Sequence, residues 1–347
     1  MLAWLVPLAL FCASIDGRVL KLQVQRRPGL PHYHHNATDY AVVSTLLMMG
    51  TADEMCQFVV DTTGADIEVT VCQTLPPTDA DKPCYVAKAS TAFKMLNDQT
   101  ATDRFTDDTG NYTTFNFLVR KPKTNYLGRL GVGWPALKKY PLDTFWPDAY
   151  VKNNLLPKMF SIKIGLRGCG GFYEFGSSAI CNYEQSNVTL YLPVTSTKYW
   201  QFALQSARIG AVSTVANSQA VIASNREYIG MPKKFLALFT AKYGIQWDGL
   251  YGAYTVDCGR NTTLPELKLS VQGGFLSIKA TEYVYTWAPL PNGRCVVSFE
   301  DSGAFGFGPE WYFGLQIVQS YCISFDYDRK QLGFKRNIYE DTDSCVH

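Results

Sequence analysis

The sequence has little charge and no concentration of it. Charged residues make up 18% of the 347 residues, and the formal net charge is +2. No block of like charges occurs, so neither a nucleic-acid-binding surface nor a polybasic membrane-binding segment has an electrostatic basis here. A Gly-x-Ser-x-Gly motif is also absent, which leaves a serine hydrolase without support.

Beyond the N-terminus, no stretch approaches the ~18 uninterrupted apolar residues that a membrane-spanning helix needs. The N-terminus itself is an apolar segment, Met1–Ser14, that ends in small residues. This pattern predicts a secretory signal peptide at 1–17 and a soluble, extracellular mature protein without a membrane span.

Ten cysteines and four N-glycosylation sequons agree with secretion into an oxidising compartment. Removal of Cys12 with the signal peptide leaves nine cysteines, so we expect one to stay free or to form an intermolecular disulfide. The four sequons begin at Asn36, Asn111, Asn187 and Asn261.

Short runs rich in Val, Ile, Tyr and Phe alternate with Gly, Pro, Asn and Asp turns, which predicts a mainly β protein. Helical patterns are few. One covers Pro232–Tyr243, with proline at its start and Gly244 at its end, and a second covers Asp148–Leu156. A weak duplication relates Val59–Thr62 to Val221–Ser224, since each is followed later by an apolar pair and a glycine.

Several motifs resemble those of the pepsin-like aspartic proteases (peptidase A1). The matching segments lie between about residues 40 and 337. Phe58–Gly64 is similar to the family's first Asp-Thr-Gly loop, and Leu127–Trp134 to its Asp-Gly-Ile-Leu-Gly-Leu segment. Gly170–Gly176 is similar to the Gly-Gly-x-Leu-x-Phe-Gly segment, and Trp311–Phe334 to the family's terminal pattern. The resemblance implies a mainly β, bilobal fold of two β-barrel-like lobes with a central cleft and a few short helices.

The same resemblance implies the domain organisation. We expect a vestigial prosegment at 18–38, an N-terminal lobe at 39–192, and a C-terminal lobe with a short tail at 193–347. The Arg26-Arg27 pair is a candidate processing site.

The chain departs from the family where the chemistry is expected. Asp61 matches the first catalytic aspartate, whereas Ala223 occupies the position of the second. Aspartic proteases need two adjacent carboxylates, one holding a proton while the other is ionised. Thr63 and Asn225 replace the glycines of the two loops. Both loops keep a hydroxyl that, by resemblance, cross-links them at the floor of the cleft, and these hydroxyls belong to Thr62 and Ser224.

These departures predict a non-catalytic binding or decoy protein. Its ligand would be a peptide, a protein or a small apolar molecule, held in the cleft or on the surface. The alternative is an aspartic endopeptidase with residual or altered activity at acidic pH, and a purely structural extracellular role is also open.

Three acidic residues near the two loops can each be interpreted in two ways. Asp61 is either a remnant that binds a partner's polar group or a buried structural acid. Glu227 or Asp66 would be a relocated catalytic acid if its oxygens lay within hydrogen-bonding range of Asp61, and otherwise a loop or surface charge. Only 21 residues separate Phe93 from Phe115, so the flap over the cleft is expected to be shortened or lost, with Tyr112 as the nearest candidate for its tyrosine.

The remaining expectations concern cysteines and metals. We expect disulfides Cys72–Cys84, Cys258–Cys295 and Cys169–Cys181, with Cys56, Cys322 and Cys345 left over. The histidines at 32, 34 and 35 could take Zn²⁺ or Cu²⁺, but the pattern favours a solvated terminal segment, so no metal and no cofactor are expected.

Overall fold

A computed structural model describes residues 20–26, 43–72, 84–106, 112–121, 127–142, 144–145, 158–165, 170–181, 189–214, 217–304 and 308–337. The strands of the first half are β1 Leu20–Gln23, β2 Gln25–Arg26, β3 Val43–Met49, β4 Glu54–Asp61, β5 Ile67–Thr70, β6 Lys94–Met95, β7 Thr100–Thr106, β8 Tyr112–Arg120, β9 Gly128–Gly131, β10 Met159–Ile164, β11 Gly171–Phe175 and β12 Leu190–Pro193. Those of the second half are β13 Gln201–Leu204, β14 Ser206–Ile209, β15 Val212–Ser213, β16 Ser218–Ile222, β17 Ile229–Met231, β18 Gln246–Asp248, β19 Ala253–Asp257, β20 Leu267–Val271, β21 Gly274–Ile278, β22 Arg294–Val297, β23 Phe299–Asp301, β24 Trp311–Phe313, β25 Tyr321–Asp326 and β26 Gln331–Arg336.

The helices are α1 Lys233–Tyr243, α2 Ala280–Tyr283 and α3 Leu315–Ser320, together with 3₁₀ turns at Ala87–Ala89, Pro135–Leu137, Ala179–Cys181 and Cys258–Thr262. The prediction for α1 is confirmed: Pro232 caps its start, and Gly244 ends it in the left-handed conformation that favours glycine. The second predicted helix, at 148–156, lies outside the described residues. Within the described ranges no helix is long and apolar enough to cross a membrane.

The two halves repeat one arrangement of four strands. In the first, β4 runs parallel to β9, β9 is antiparallel to β5, and β5 is parallel to β8. In the second, β16, β24, β17 and β23 follow in the same order with the same directions. The duplication expected from the sequence therefore exists in three dimensions, with Gly128–Gly131 and Trp311–Phe313 as matching strands.

Each lobe has its own sheets. In the N-terminal lobe, an eight-stranded sheet runs in the order β2-β3-β4-β9-β5-β8-β7-β6, and an added pairing of β3 with β7 closes it into a barrel. The C-terminal lobe contains sheets of five, four and three strands. The expected mainly β, bilobal fold with few short helices is confirmed.

A six-stranded sheet joins the lobes, in the order β1-β11-β10-β25-β26-β12. Its central strand β25 is almost wholly buried, which explains the near-continuous apolar run there. The sheet starts with Leu20–Gln23, whose partners in β11 are Phe172–Phe175. Residues 20–26 are thus part of this fold, since β2 also pairs with β3.

Aromatic side chains connect the six-stranded sheet to both lobes through ring contacts and hydrogen bonds. The rings of Phe160 and Phe325 stack at 4.3 Å within the sheet, and Trp200 lies edge-on to Phe325 at 5.2 Å. The indole N–H of Trp200 and the hydroxyl of Tyr327 both donate to the carbonyl oxygen of Val132, at 3.0 and 2.8 Å. Val132 directly follows β9, so this cluster ties the N-terminal lobe to the sheet.

Disulfides Cys72–Cys84 and Cys258–Cys295 form as predicted. The predicted pairing Cys169–Cys181 is wrong, because Cys181 is bonded to Cys322. Cys322 lies in β25, and its strand pairs with β10, next to the turn that carries Cys181. Cys56 is a free, buried thiol, so it is not positioned to join another chain. Cys169 and Cys345 lie outside the described residues.

Candidate functional site

The two loops at the ends of β4 and β16 meet at the junction of the lobes. The backbone N–H of Thr62 donates to Oγ of Ser224 at 3.1 Å, and the N–H of Ser224 donates to Oγ1 of Thr62 at 3.0 Å. Each hydroxyl in turn donates across the junction, Thr62 to the carbonyl of Ile222 and Ser224 to that of Val60, both at 2.7 Å. Four reciprocal bonds therefore link the two loops, and Asp61 and Ala223 each directly precede a residue that makes them.

Asp61 is buried and hydrogen-bonded on one oxygen by its own loop. Its Oδ1 accepts the backbone N–H of Thr63 at 2.7 Å and the Thr63 hydroxyl at 2.6 Å. The change from glycine to Thr63 therefore keeps the backbone donor and adds a second one. Space beside Oδ2 is tight, since a Cβ on Gly64 would lie 2.9 Å from it.

The other oxygen of Asp61 faces a cation. Nη1 of Arg129 lies 3.1 Å from Oδ2, in an ion pair without an aligned hydrogen bond. Arg129 comes from β9, where it is paired with Val59, two residues before Asp61 on the same face of β4. Within the described part of the chain, Thr63 and Arg129 are the polar partners of the Asp61 carboxylate.

Arg129 continues into a ladder of alternating charges. Its Nε lies 3.9 Å from Oε2 of Glu68, and the same oxygen lies 2.9 Å from Nη1 of Arg120. The strands β4, β9, β5 and β8 are neighbours in the sheet, so Asp61, Arg129, Glu68 and Arg120 lie across one face of it. Sequence reasoning missed this ladder, although an arginine in place of the family's isoleucine in the Leu127–Trp134 segment was a visible signal.

Ala223 contributes only a methyl group to the second loop. It is fully buried, and its N–H donates to the carbonyl of Phe313 at 2.8 Å. Asn225, which follows in the same loop, has its Oδ1 3.3 Å from the hydroxyl oxygen of Thr63. The amide side chain of Asn225 therefore lies close to the loop of Asp61, beside the position where an active family member would have two facing carboxylates.

An ion pair between Arg226 and Glu300 lies close to Ala223 in the C-terminal lobe. Nη1 of Arg226 is 3.0 Å from Oε1 of Glu300, and its guanidinium lies 4.7 Å from the centre of the Tyr312 ring. Tyr312 is paired with Val221, as Arg129 is paired with Val59. Tyr312 and Arg129 therefore occupy equivalent positions of the internal repeat.

The two candidate relocated acids serve other groups. Asp66 is buried, and the backbone N–H of Lys139 lies 3.1 Å from its Oδ2. Glu227 is also buried, where its negative charge adds to burial in raising the pKa of Tyr228 and of Tyr285 well above the ordinary value. Both lie in loops, as the alternative interpretation allowed, but both are buried rather than on the surface. Neither is a partner of Asp61, so the described residues contain no relocated dyad.

Tyr112 stands at the start of β8 and is 63% exposed. It is paired with Thr106, and the guanidinium of Arg104 lies 5.3 Å from the centre of its ring. Residues 107–111, which connect β7 to β8, lie outside the described residues. The role of Tyr112 as a flap tyrosine therefore stays a prediction.

Several predicted sites cannot be placed. Asn36, Asn111, Asn187 and the histidines at 32, 34 and 35 lie outside the described residues, as does the signal peptide. Asn261 lies in the 3₁₀ turn Cys258–Thr262 and is partly exposed. In the described ranges, no group of three or more His, Cys, Asp or Glu side chains could hold a metal ion.

Comparison with known proteins identifies the family. The model of the eukaryotic aspartyl protease family matches residues 111–337, more than half of the chain. The chain belongs to this family. The matched range contains Ala223 and Arg129 but begins after Asp61, so the first loop is identified by its motif and by the repeated strand arrangement.

The chain is similar to curated aspartic proteases over part of their length. It is 26% identical to "Aspartic protease 1" of Caenorhabditis elegans over 219 residues, which are 61% of this chain and 54% of that protein. It is 27% identical to "Aspartic protease 17" of the same organism over 217 residues, 60% of this chain and 53% of that protein. For cathepsin E of Rattus norvegicus the identity is 26% over 236 residues, 63% of this chain and 57% of that protein. The chain thus spans about half the length of these relatives.

Proposed function

We propose that this chain is a non-catalytic aspartic protease homologue that binds a ligand in the cleft at the junction of its lobes. The observation that carries the proposal is the surroundings of Asp61. One oxygen accepts two bonds from Thr63, and the other is ion-paired with Arg129. Proteolysis by this fold needs two carboxyl groups: one carboxylate that takes a proton from the attacking water, and a second, protonated group that donates a proton to the substrate. Ala223 cannot supply the second.

The retained scaffold supports binding as the remaining role. The four bonds that Thr62 and Ser224 make, two with each other and two with the carbonyls of Ile222 and Val60, still hold the loops together at the floor of the cleft. A peptide, a protein or a small molecule is the proposed ligand. The relatives are named as proteases, but a shared fold does not carry their chemistry to this chain.

Secretion and glycosylation are part of the proposal. Three disulfides within the described residues support folding in an oxidising compartment. The apolar N-terminal segment and the four sequons are the sequence features that support export.

The test is cleavage of a mixed unfolded-protein substrate from about pH 2 to about pH 7, with and without pepstatin. We expect no cleavage by the unmodified protein. The variant Ala223→Asp should also be inactive, because Arg129 still neutralises Asp61. Pepstatin-sensitive cleavage by the unmodified protein that disappears in Asp61→Asn would overturn the proposal and favour an acidic endopeptidase with altered chemistry.

A further inference from the structure

Three ion pairs near the junction of the lobes share one orientation, with the carboxylate inward and the guanidinium outward. Side-chain exposures are 21% for Arg129 against 1% for Asp61, 48% for Arg120 against 11% for Glu68, and 37% for Arg226 against 18% for Glu300. Other described ion pairs have the same order, for example 79% for Arg329 against 15% for Asp326, whereas Arg104 and Asp53 have the reverse, 26% against 46%. A molecule that enters at the junction would therefore meet arginines before it met carboxylates.

The arginines flank the junction from both lobes. Arg129 shares its sheet face with Asp61, because it is paired with Val59 and reaches the carboxylate of Asp61. In the other lobe, Tyr312 is paired with Val221 and so lies on the face that carries Ala223. The guanidinium of Arg226 lies over this Tyr312 ring, 4.7 Å from its centre. The two guanidinium groups thus stand on opposite sides of the Thr62 and Ser224 cross-link.

Among the residues that the structure describes, each guanidinium keeps N–H donors that its ion pair does not use. Arginine carries five N–H groups, and the ion pairs engage only one or two of them in each case. The cation–π contact of Arg226 with Tyr312, 4.7 Å from the guanidinium carbon to the ring centre, does not itself occupy an N–H donor. Carboxylates are the partners that match this edge in shape and charge.

We infer that the junction binds an extended peptide segment through its acidic side chains. Arg129 and Arg120 contact carboxylates on the N-terminal side, and Arg226 contacts one on the C-terminal side. This inference rests on the proposed function and names its ligand class. A basic peptide would meet like charge, and an apolar ligand would bury the remaining N–H donors of the guanidinium groups without offering them acceptors.

The test compares three blocked peptides of equal length that alternate valine with aspartate, asparagine or lysine. Their binding to the full chain is measured by calorimetry at low and at high salt. We expect the aspartate peptide to bind about tenfold or more tightly than the asparagine peptide, since charge-assisted bonds are stronger than neutral ones. We expect this preference to shrink at high salt.

Variants locate the site. Arg226→Gln and Arg129→Lys should each lower the preference for aspartate, Arg226→Gln by about tenfold. Arg329→Gln is the matched control, because Arg329 is 79% exposed beside Asp326 and should leave binding unchanged. Arg129→Lys keeps a positive charge beside Asp61, so a loss of binding by a folded variant reports the guanidinium.

The outcomes separate this inference from the proposed function. Equal binding of the aspartate and asparagine peptides would overturn the acidic preference while cleft binding stands. An unchanged preference in Arg226→Gln and Arg129→Lys would also overturn it. Binding of a sulfated oligosaccharide without binding of any peptide would replace the ligand class. If no probe binds, both the inference and cleft binding fail.

Discussion

Replacement of Arg129 by methionine tests whether the charge ladder holds Asp61 in place. The variant keeps the apolar stem but leaves the buried carboxylate of Asp61 without its cation. Breaking a buried ion pair by removing one partner costs about 3–5 kcal/mol. Arg129 is partly exposed and Thr63 still donates two bonds, so we expect a loss of about 2–3 kcal/mol in the free energy of unfolding.

The double variant Asp61→Asn with Arg129→Met isolates the interaction. Because the uncompensated charge is gone, it should be more stable than Arg129→Met alone, with a coupling energy of about 1–2 kcal/mol. The assay is urea unfolding followed by tryptophan fluorescence. The control is Arg329→Met, whose ion pair is exposed and should be worth less than about 0.5 kcal/mol. If Arg129→Met costs no more than this control, or if the double variant costs the sum of the single changes, the reasoning about Asp61 is wrong.

Three other predictions follow from described contacts. Ser224→Ala should lower the free energy of unfolding by about 2–4 kcal/mol, because it leaves the N–H of Thr62 and the carbonyl of Val60 unpaired, whereas the exposed control Ser213→Ala should change little. The buried thiol of Cys56, whose pKa is raised by burial and by Glu54, should not react with a thiol reagent in the native protein but should react on unfolding; rapid native labelling would contradict its burial. Burial raises the pKa of Tyr228 and Tyr285 well above 10, so both hydroxyls stay protonated in the native state at a pH where they would ionise in the unfolded chain. The free energy of unfolding should therefore fall as the pH rises above about 10. A tyrosine absorbance titration in which every tyrosine ionises near pH 10 without unfolding would refute this.

Local sequence signals predicted several secondary-structure elements and the two loops that meet between the lobes. The proline and glycine around α1 define its ends, and buried strands such as β25 are visible as apolar runs. The roles of Thr62 and Ser224 follow from their motifs, because each hydroxyl sits directly after the catalytic position in its loop. These features depend on residues that are close together in the chain.

The contacts that surround Asp61 depend on residues distant in sequence. Arg129 reaches Asp61 because β9 lies beside β4 in one register, and a shift of one residue would turn its side chain to the other face. The same dependence misled the prediction for Cys181. An expected hairpin suggested Cys169 as the partner of Cys181, whereas the six-stranded sheet brings in Cys322 from 141 residues away.

The six-stranded sheet also constrains how the protein is made. Its inner strand β10 pairs on one side with β25, so that side has no partner until the chain has been synthesised as far as residue 326. Until then, the backbone groups of β10 form an open edge of the kind that promotes aggregation. A chain that ends before β25 would keep this edge open permanently, and it would also lack the partner of Cys181. A truncation that removes β25 is therefore expected to damage more of the fold than the removed segment itself.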